Sequence, residues 1–270
     1  MDEVIARGTA VPALGYGTWE LEGDDCLRGV AAALELGYRH LDTAQVYGNE
    51  DLVGQALADS GVAREEVFLT TKVWNSRLEP ERVRSTTEDS LRRLRTDYVD
   101  LLLIHWPVRM DILPQTLEAM RGLQERGLVR HVGVSNFTPA QLREALAHAE
   151  VFCNQVEYHP YLGQAALLEV CREQDVLLTA YSPLARGRVL EDPVLREIGE
   201  AHGKSAAQVT LRWLVQQPGV ATIPKAASRR HIESNLAIFD FALSDAECAR
   251  IAALERGERI VDPDWADWAA

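Results

Sequence analysis

Four side chains stand at or just after the ends of short apolar runs, where their types could do chemistry together. Asp42 and Tyr47 lie in HLDTAQVYGNE (40–50), Lys72 near the end of VFLTTKV (67–73), and His105 at the end of VDLLLIH (99–105). A phenol with an ordinary pKa near ~10 is a weak acid at neutral pH. It becomes a useful proton donor if a cation in a poorly solvated site stabilises its anion and lowers that pKa. Lys72 is the candidate cation, and Asp42 the carboxylate that keeps it charged and in place. His105 would donate to the same substrate oxygen, and two donors on one oxygen polarise a carbonyl. No side chain here supplies hydride, so reduction would require a nicotinamide cofactor.

Lysine usage sharpens the reading. There are only three lysines, Lys72, Lys204 and Lys225, against twenty-five arginines. A compact ammonium can sit in a pocket and shift its pKa, which a guanidinium cannot do. Lys72 and Lys225 are therefore the lysines with a job; Lys204, in the polar HGKS turn, reads as an ordinary charge.

The elements that must position these groups alternate regularly. Strand-like runs fall at 14–17, 39–42, 67–73, 99–105, 129–135, 152–158, 176–182 and 220–224. Helical periodicity fills 24–36, 50–59, 80–95, 114–126, 138–149, 163–174, 192–217 and 228–238. The near-continuous apolar strands suit parallel strands covered on both faces. Eight such units with no linker between them predict one (β/α)₈ barrel domain over residues 1–270, an α/β fold, with a hairpin at 4–12 plugging one end. A helix and an irregular tail follow from residue 244. No GxGxxG follows an early strand, which counts against a doubly wound sheet. In a barrel the C-terminal strand ends carry the site. Those ends place Thr18, Trp19, Asp42, Tyr47, Lys72, Trp74, His105, Trp106, Ser135, Asn136, Gln155, Tyr158, His159, Tyr181, Ser182 and Lys225 at one mouth. Trp19, Trp74, Trp106 and Trp265 are candidate walls of a substrate pocket, with Trp268 beside them, whereas Tyr158 and His159 read as structural.

Composition excludes other classes. A formal charge of −13 argues against a nucleic-acid surface. The four scattered cysteines form no metal or disulfide pattern and read as reduced thiols. The acidic start MDEVIARG is unlike a signal peptide, and no apolar run approaches membrane-spanning length. The expectation is a soluble cytoplasmic protein without a metal.

GTAVPALGYGTW (8–19), GYRHLDTAQVYGNEDLVG (37–54) and LVRHVGVSNF (128–137) resemble the aldo-keto reductase family, most of all its bacterial branch of diketogluconate reductases. The resemblance runs along essentially the whole chain. It implies Asp42, Tyr47, Lys72 and His105 as a catalytic tetrad. It further implies Ser135, Asn136 and Gln155 on the nicotinamide carboxamide, Tyr181 stacked on the ring, and Ser182, Leu184 and the Ile223–Pro224–Lys225 segment along phosphates and ribose. Thr18, Asp42, His231 and Asn235 complete the candidate cofactor set, and a monomer is implied. The family pattern breaks after the last strand, where IPKAASRRHIESN has Ala226 for Ser, His231 for Arg and Ser234 for Glu. The Ser and Arg would hold the adenosine 2′-phosphate. NADPH is therefore expected on the strength of Lys225, with NADH also accepted, and Ser228, Arg229 and Arg230 stand as compensating candidates. The expected reaction is reduction of an aldehyde or ketone, diketo and sugar-derived carbonyls among them, to the alcohol. Two rivals remain at this stage: a Schiff-base aldolase using Lys72, and a cofactor-binding sensor or regulatory subunit.

Overall fold

The computed structural model describes residues 2–268. The chain begins with an antiparallel hairpin, β1 (Glu3–Ala6) and β2 (Thr9–Pro12). Eight parallel strands follow: β3 (Tyr16–Gly17), β4 (His40–Asp42), β5 (Phe68–Val73), β6 (Val99–Ile104), β7 (Val129–Ser135), β8 (Cys153–Glu157), β9 (Leu177–Tyr181) and β10 (Val220–Thr222). Each pairs with its sequence neighbour. The ring closes where the Gly15 N–H donates to the Thr222 carbonyl (2.8 Å) and the Thr222 N–H to that of Ala13 (2.8 Å). A Cβ on Gly17 would stand 2.6 Å from the Ile223 carbonyl oxygen, so this seam needs a glycine.

Helices α1 (Gly23–Glu35), α2 (Glu50–Asp59), α3 (Pro80–Leu94), α4 (Leu113–Glu125), α5 (Pro139–His148) and α6 (Ala165–Glu173) cover the outside. The run expected as one helix at 192–217 is two, α7 (Pro193–His202) and α8 (Ala206–Val215). Gly203 takes a left-handed conformation (φ 65°) that ends α7, and Ser205 opens α8 with a capping box to Gln208. Apolar periodicity runs through this break, and the turn chemistry overrides it. Helices α9 (Arg229–Leu236) and α10 (Asp245–Ala252) follow, and the described residues of the tail after them have no helix or strand. Among the described residues no helix is long and apolar enough to cross a membrane.

The period-2 alternation of a strand sorts residues into two cores. Outward positions such as Leu69, Val73, Leu102, Ile104, Val132, Val134, Leu178 and Ala180 pack under the helices. Inward positions Phe68, Leu101, Leu103, Cys153, Leu177 and Ala221 meet Val4, Ala6 and Val11 of the hairpin, which thereby plugs the lower end. Continuing the inward rows upward gives Asp42 after His40, Lys72 after Thr70, His105 after Leu103, Ser135 after Gly133, Gln155 after Cys153, and Tyr181 after Thr179. The sheet that fills the barrel floor with hydrocarbon thus aims its polar residues at the open end.

Candidate active site

Lys72 is wholly buried, and its ammonium donates to three oxygens: Asp42 Oδ1 (2.5 Å), the Thr43 carbonyl (2.9 Å) and Tyr47 Oη (3.1 Å). All three donors of an ammonium are therefore in use. Asp42 receives a second hydrogen bond on Oδ2 from Gln155 Nε2 across the barrel (2.7 Å). Burial pushes the Lys72 pKa down, but the charge of Asp42 and the adjoining hydrogen bonds outweigh it, so the amine stays charged, above its usual range. The expectation that Lys72 lowers the Tyr47 pKa holds for its contribution but not for the sum. Burial raises the phenol more than Lys72 lowers it, and Asp42 raises it further, so Tyr47 lies above an ordinary phenol. Its hydroxyl is therefore protonated throughout the neutral range.

Next to it stands His105, edge-on to the Tyr47 ring (centroids 5.8 Å apart) and to Trp74 (5.2 Å). Burial and then Lys72 hold His105 well below the usual imidazole range, so the ring is neutral. Its Nδ1 is buried with no hydrogen-bond partner among the described residues.

These residues open into a cavity of about 970 Å³ at the C-terminal strand ends, at the upper end of ligand-site sizes. Asp42, Tyr47, His105, Ser135, Asn136, Gln155 and Tyr181 form its floor. The Asn136 side chain bridges, donating to the His105 carbonyl (3.0 Å) and accepting from the Tyr181 hydroxyl (2.7 Å), while Ser135 Oγ donates to the Gln155 carbonyl (2.7 Å). One arm runs past Ser182, Leu184 and Ile223 to Lys225 and Trp19; the other is walled by Trp74, Trp106 and Trp265. Lys72 itself does not line the cavity. Neither does Thr18, which lies buried behind Asp42 and donates to its carbonyl (2.9 Å), nor do His231 and Asn235. Lys225 pairs with the exposed Glu20 carboxylate (3.1 Å). Of the compensating candidates, Ser228 caps α9, Arg229 forks onto Glu35 (2.7 and 2.9 Å), and Arg230 has no ion-pair partner among the described residues.

Three positioning residues escaped the sequence reading. Asn49 ties the loops after β3 and β4 together, donating to the Thr18 and Leu21 carbonyls and accepting from the Thr43 hydroxyl. The left-handed Gly48 (φ 67°) turns the chain to deliver it. Gln45 accepts from the Trp74 N–H (3.2 Å) and so fixes one wall. Glu157, inward on β8 two residues beyond Gln155, holds the tail.

Similarity to known proteins follows the same outline. The sequence profile of the Aldo/keto reductase family matches residues 13–256. The chain is 45% identical over 259 residues to a glyoxal reductase of Bacillus subtilis (strain 168), covering 95% of this chain and 93% of that one. It is 39% identical over 260 residues to a methylglyoxal reductase of Escherichia coli O157:H7, covering 94% and 97%. Its fold superposes with a TM-score of 0.97, at 46% identity and covering 99% and 97% of the two chains, on a crystal structure provisionally named 2,5-diketo-D-gluconic acid reductase B. With the barrel, the strand-end constellation and these relatives in agreement, the chain belongs to the aldo/keto reductase family and is an oxidoreductase.

Proposed function

We propose that the protein reduces neutral aldehydes or ketones with a reduced nicotinamide cofactor, and that Tyr47 is the general acid. The observation that carries this reading is the division of labour around Lys72. The ammonium is sealed behind the floor with every donor spent, and Tyr47 is the proton-bearing group it presents to the cavity, beside the neutral His105. A sealed, charged lysine cannot form a Schiff base, so the aldolase alternative has no nucleophile.

The chemistry the cofactor supplies when bound is hydride. The floor residues Ser135, Asn136, Gln155 and Tyr181 would hold its nicotinamide end, and Ser182, Leu184, Ile223 and Lys225 its phosphates. The donor set fits: amide and hydroxyl groups stand at the floor, and the cations Arg186 and Lys225 at the far arm. Tyr47 and His105 grip the carbonyl oxygen and turn the carbon toward the floor. Negative charge developing on that oxygen makes it a far stronger base than a phenolate, so Tyr47 surrenders its proton despite its raised pKa. The phenolate left behind is met by the Lys72 ammonium, already in place at 3.1 Å. Asp42, doubly bonded by Lys72 and Gln155, keeps the ammonium from swinging away.

Charge decides the substrate class. Among the described residues the cations that line the cavity are Arg186 and Lys225, both beside the Trp19 ring. Trp74 stands beside His105, and the rest of the lining includes indole rings, Val46, Ile260, Val261 and Pro263, with the carboxylates Asp262, Glu20 and Glu22 among its charges. A sugar acid would bring its carboxylate there without a partner, at a cost of a few kcal/mol for an unpaired buried charge. The names of two relatives, glyoxal and methylglyoxal reductases, point to neutral dicarbonyls in those proteins. Cofactor oxidation with methylglyoxal, an aromatic aldehyde and a diketogluconate tests the proposal. The neutral carbonyls should exceed the acid in kcat/KM by roughly tenfold or more, the worth of one missing charge-assisted partner. Preference for the acid would overturn the substrate class, and no turnover of any carbonyl would leave a cofactor-binding sensor as the better reading.

For the cofactor, NADPH with shallow discrimination against NADH is proposed. Ala226 offers no hydroxyl, and Arg229, which forks onto Glu35, does not line the cavity. Lys225 is the charge in place for a 2′-phosphate, and its exposed partner Glu20 is readily displaced, such pairs being worth about 0–1 kcal/mol.

A further inference from the structure

The last turn of chain over the cavity has no helix or strand to hold it. Ile260, Val261, Asp262, Pro263 and Trp265 nevertheless form one cavity wall, with Trp265 edge-on to Trp106 (4.9 Å) and Trp74 (6.4 Å). Its attachment begins at Tyr161, whose carbonyl accepts the Glu258 N–H (2.9 Å) and whose ring lies under Arg256 (3.8 Å). It ends at Glu157. This carboxylate is wholly buried and takes three hydrogen bonds: His159 Nε2 and the Ile260 N–H on Oε1 (2.8 Å each), and the Val261 N–H on Oε2 (2.9 Å). Burial raises its pKa, but these bonds together pull it below the usual carboxylate range, so it is ionised at neutral pH.

A buried charge is costly unless fully bonded, and hydrogen bonds to an ionised acceptor are about twice as strong as neutral ones. Two successive backbone amides on one carboxylate also fix a segment in register and rotation, which apolar contact alone does not. Glu157 sits on β8 two residues beyond Gln155, the group that steadies Asp42. The same strand therefore holds the chemical floor and the far wall in one rigid frame.

We propose that Glu157 is a positioning residue for substrate specificity: by gripping the Ile260 and Val261 amides it sets the shape of the wall from Ile260 to Trp265, and thereby which carbonyls are held productively, without touching them. His159 acts through Glu157, orienting the carboxylate. This rests on the carbonyl-reductase reading of the cavity, and its consequence is a split between substrates. A small dicarbonyl held by Tyr47 and His105 needs little of the wall; a bulky aromatic aldehyde leans on it.

Glu157→Gln keeps the shape but replaces one acceptor oxygen with an amide that must point a donor at a donor. In the full-length protein its KM for a bulky aromatic aldehyde should rise on the order of tenfold. Its kcat for methylglyoxal and its Kd for the reduced cofactor should stay within about twofold. Hydrogen exchange at the 260 and 261 amides should accelerate while exchange in the barrel strands does not. Ile260→Pro, which removes one donor and leaves the carboxylate, should shift the same KM ratio, and the double variant should show less than the product of the two effects. If Glu157→Gln fails to fold, Ile260→Pro alone carries the substrate comparison. Should the wild type reduce no carbonyl, the reading of the cavity falls. Should it reduce them while the KM ratio stays unmoved in the variants, or the exchange at 260 and 261 stays unmoved in Glu157→Gln, the tether alone is overturned. It is overturned too if every substrate loses kcat alike.

Discussion

The floor of the cavity and its far arm are built to opposite rules. On the floor, apart from His105, the polar groups have partners in the frame: Lys72 three oxygens, Asp42 two donors, Asn136 a donor and an acceptor, all three of them buried. At the far arm the charges are exposed and loosely held: Lys225 pairs with the exposed Glu20, Arg186 lies over the Trp19 ring, and in the adjoining loop Arg229 pairs with the exposed Glu35. A buried hydrogen-bonded network is expensive to alter, since removing one member strands the others. An exposed pair is worth little and can be exchanged. On the proposed reading, the contrast teaches that reaction chemistry is locked into this barrel while cofactor choice rests on a surface loop open to change.

Breaking the floor should therefore have the largest effect. Tyr47→Phe should lower kcat by roughly 10²- to 10⁴-fold, the usual worth of a general acid, with cofactor Kd nearly unchanged. Lys72→Arg should fall comparably although it keeps its charge, because a planar guanidinium cannot direct donors to the three oxygens that an ammonium serves. Near-wild-type turnover in either, measured with the preferred aldehyde at saturating cofactor, would undo the contrast.

A smaller effect is expected at the loop. Ala226→Ser with His231→Arg adds a hydroxyl and a permanent cation where the 2′-phosphate is proposed to lie. The ratio of NADH to NADPH Kd, read by fluorescence quenching, should rise by roughly tenfold or more, each new contact contributing on the order of 1–2 kcal/mol. A wild type that already rejects NADH as firmly as the double variant would assign the phosphate to Arg230, the cation in this loop with no ion-pair partner among the described residues.

The smallest effect is a flat line. His105 is held well below its ordinary pKa by burial and Lys72, so it stays neutral from pH 6 upward; burial holds Tyr47 above an ordinary phenol, so it stays protonated. Because an acid donates only below its pKa, the reductive kcat should be level between pH 6 and 9 and fall only beyond 10. An inflection near 6.5 would show that His105 titrates in the working enzyme and that the floor is wetter than the structure has it.

How much of this was legible in the sequence follows from distance along the chain. Asp42, Tyr47, Lys72 and His105 could be grouped because each ends an apolar run, and barrel topology brings such ends together. The second bond to Asp42 comes from Gln155 and the tail clamp from Glu157, both on β8, more than a hundred positions from their partners. Local pattern carries no trace of which inward residues meet across a ring. The split of 192–217 was visible in Gly203 and Ser205 but was outvoted by periodicity. The net rise of the Tyr47 pKa could not be read at all, since it is a balance between burial and a neighbour's charge that only packing sets.

The seam of the barrel carries one more consequence. β3 meets β10, and the Tyr16 hydroxyl reaches the Ala226 carbonyl 210 positions later (2.7 Å). While the chain is being synthesised from its N-terminus, Asp42, Tyr47, Lys72 and His105 are all made early, on or just after three consecutive strands, β4 to β6. Their shared floor nevertheless stays open along one side until β10 emerges and the ring zips shut. Contacts of such span make folding slow, and the unpaired edges of β3 and the newest strand are exposed for as long as translation lasts. On that schedule a chain that stops short of β10 has the four side chains but not the closed ring that frames them.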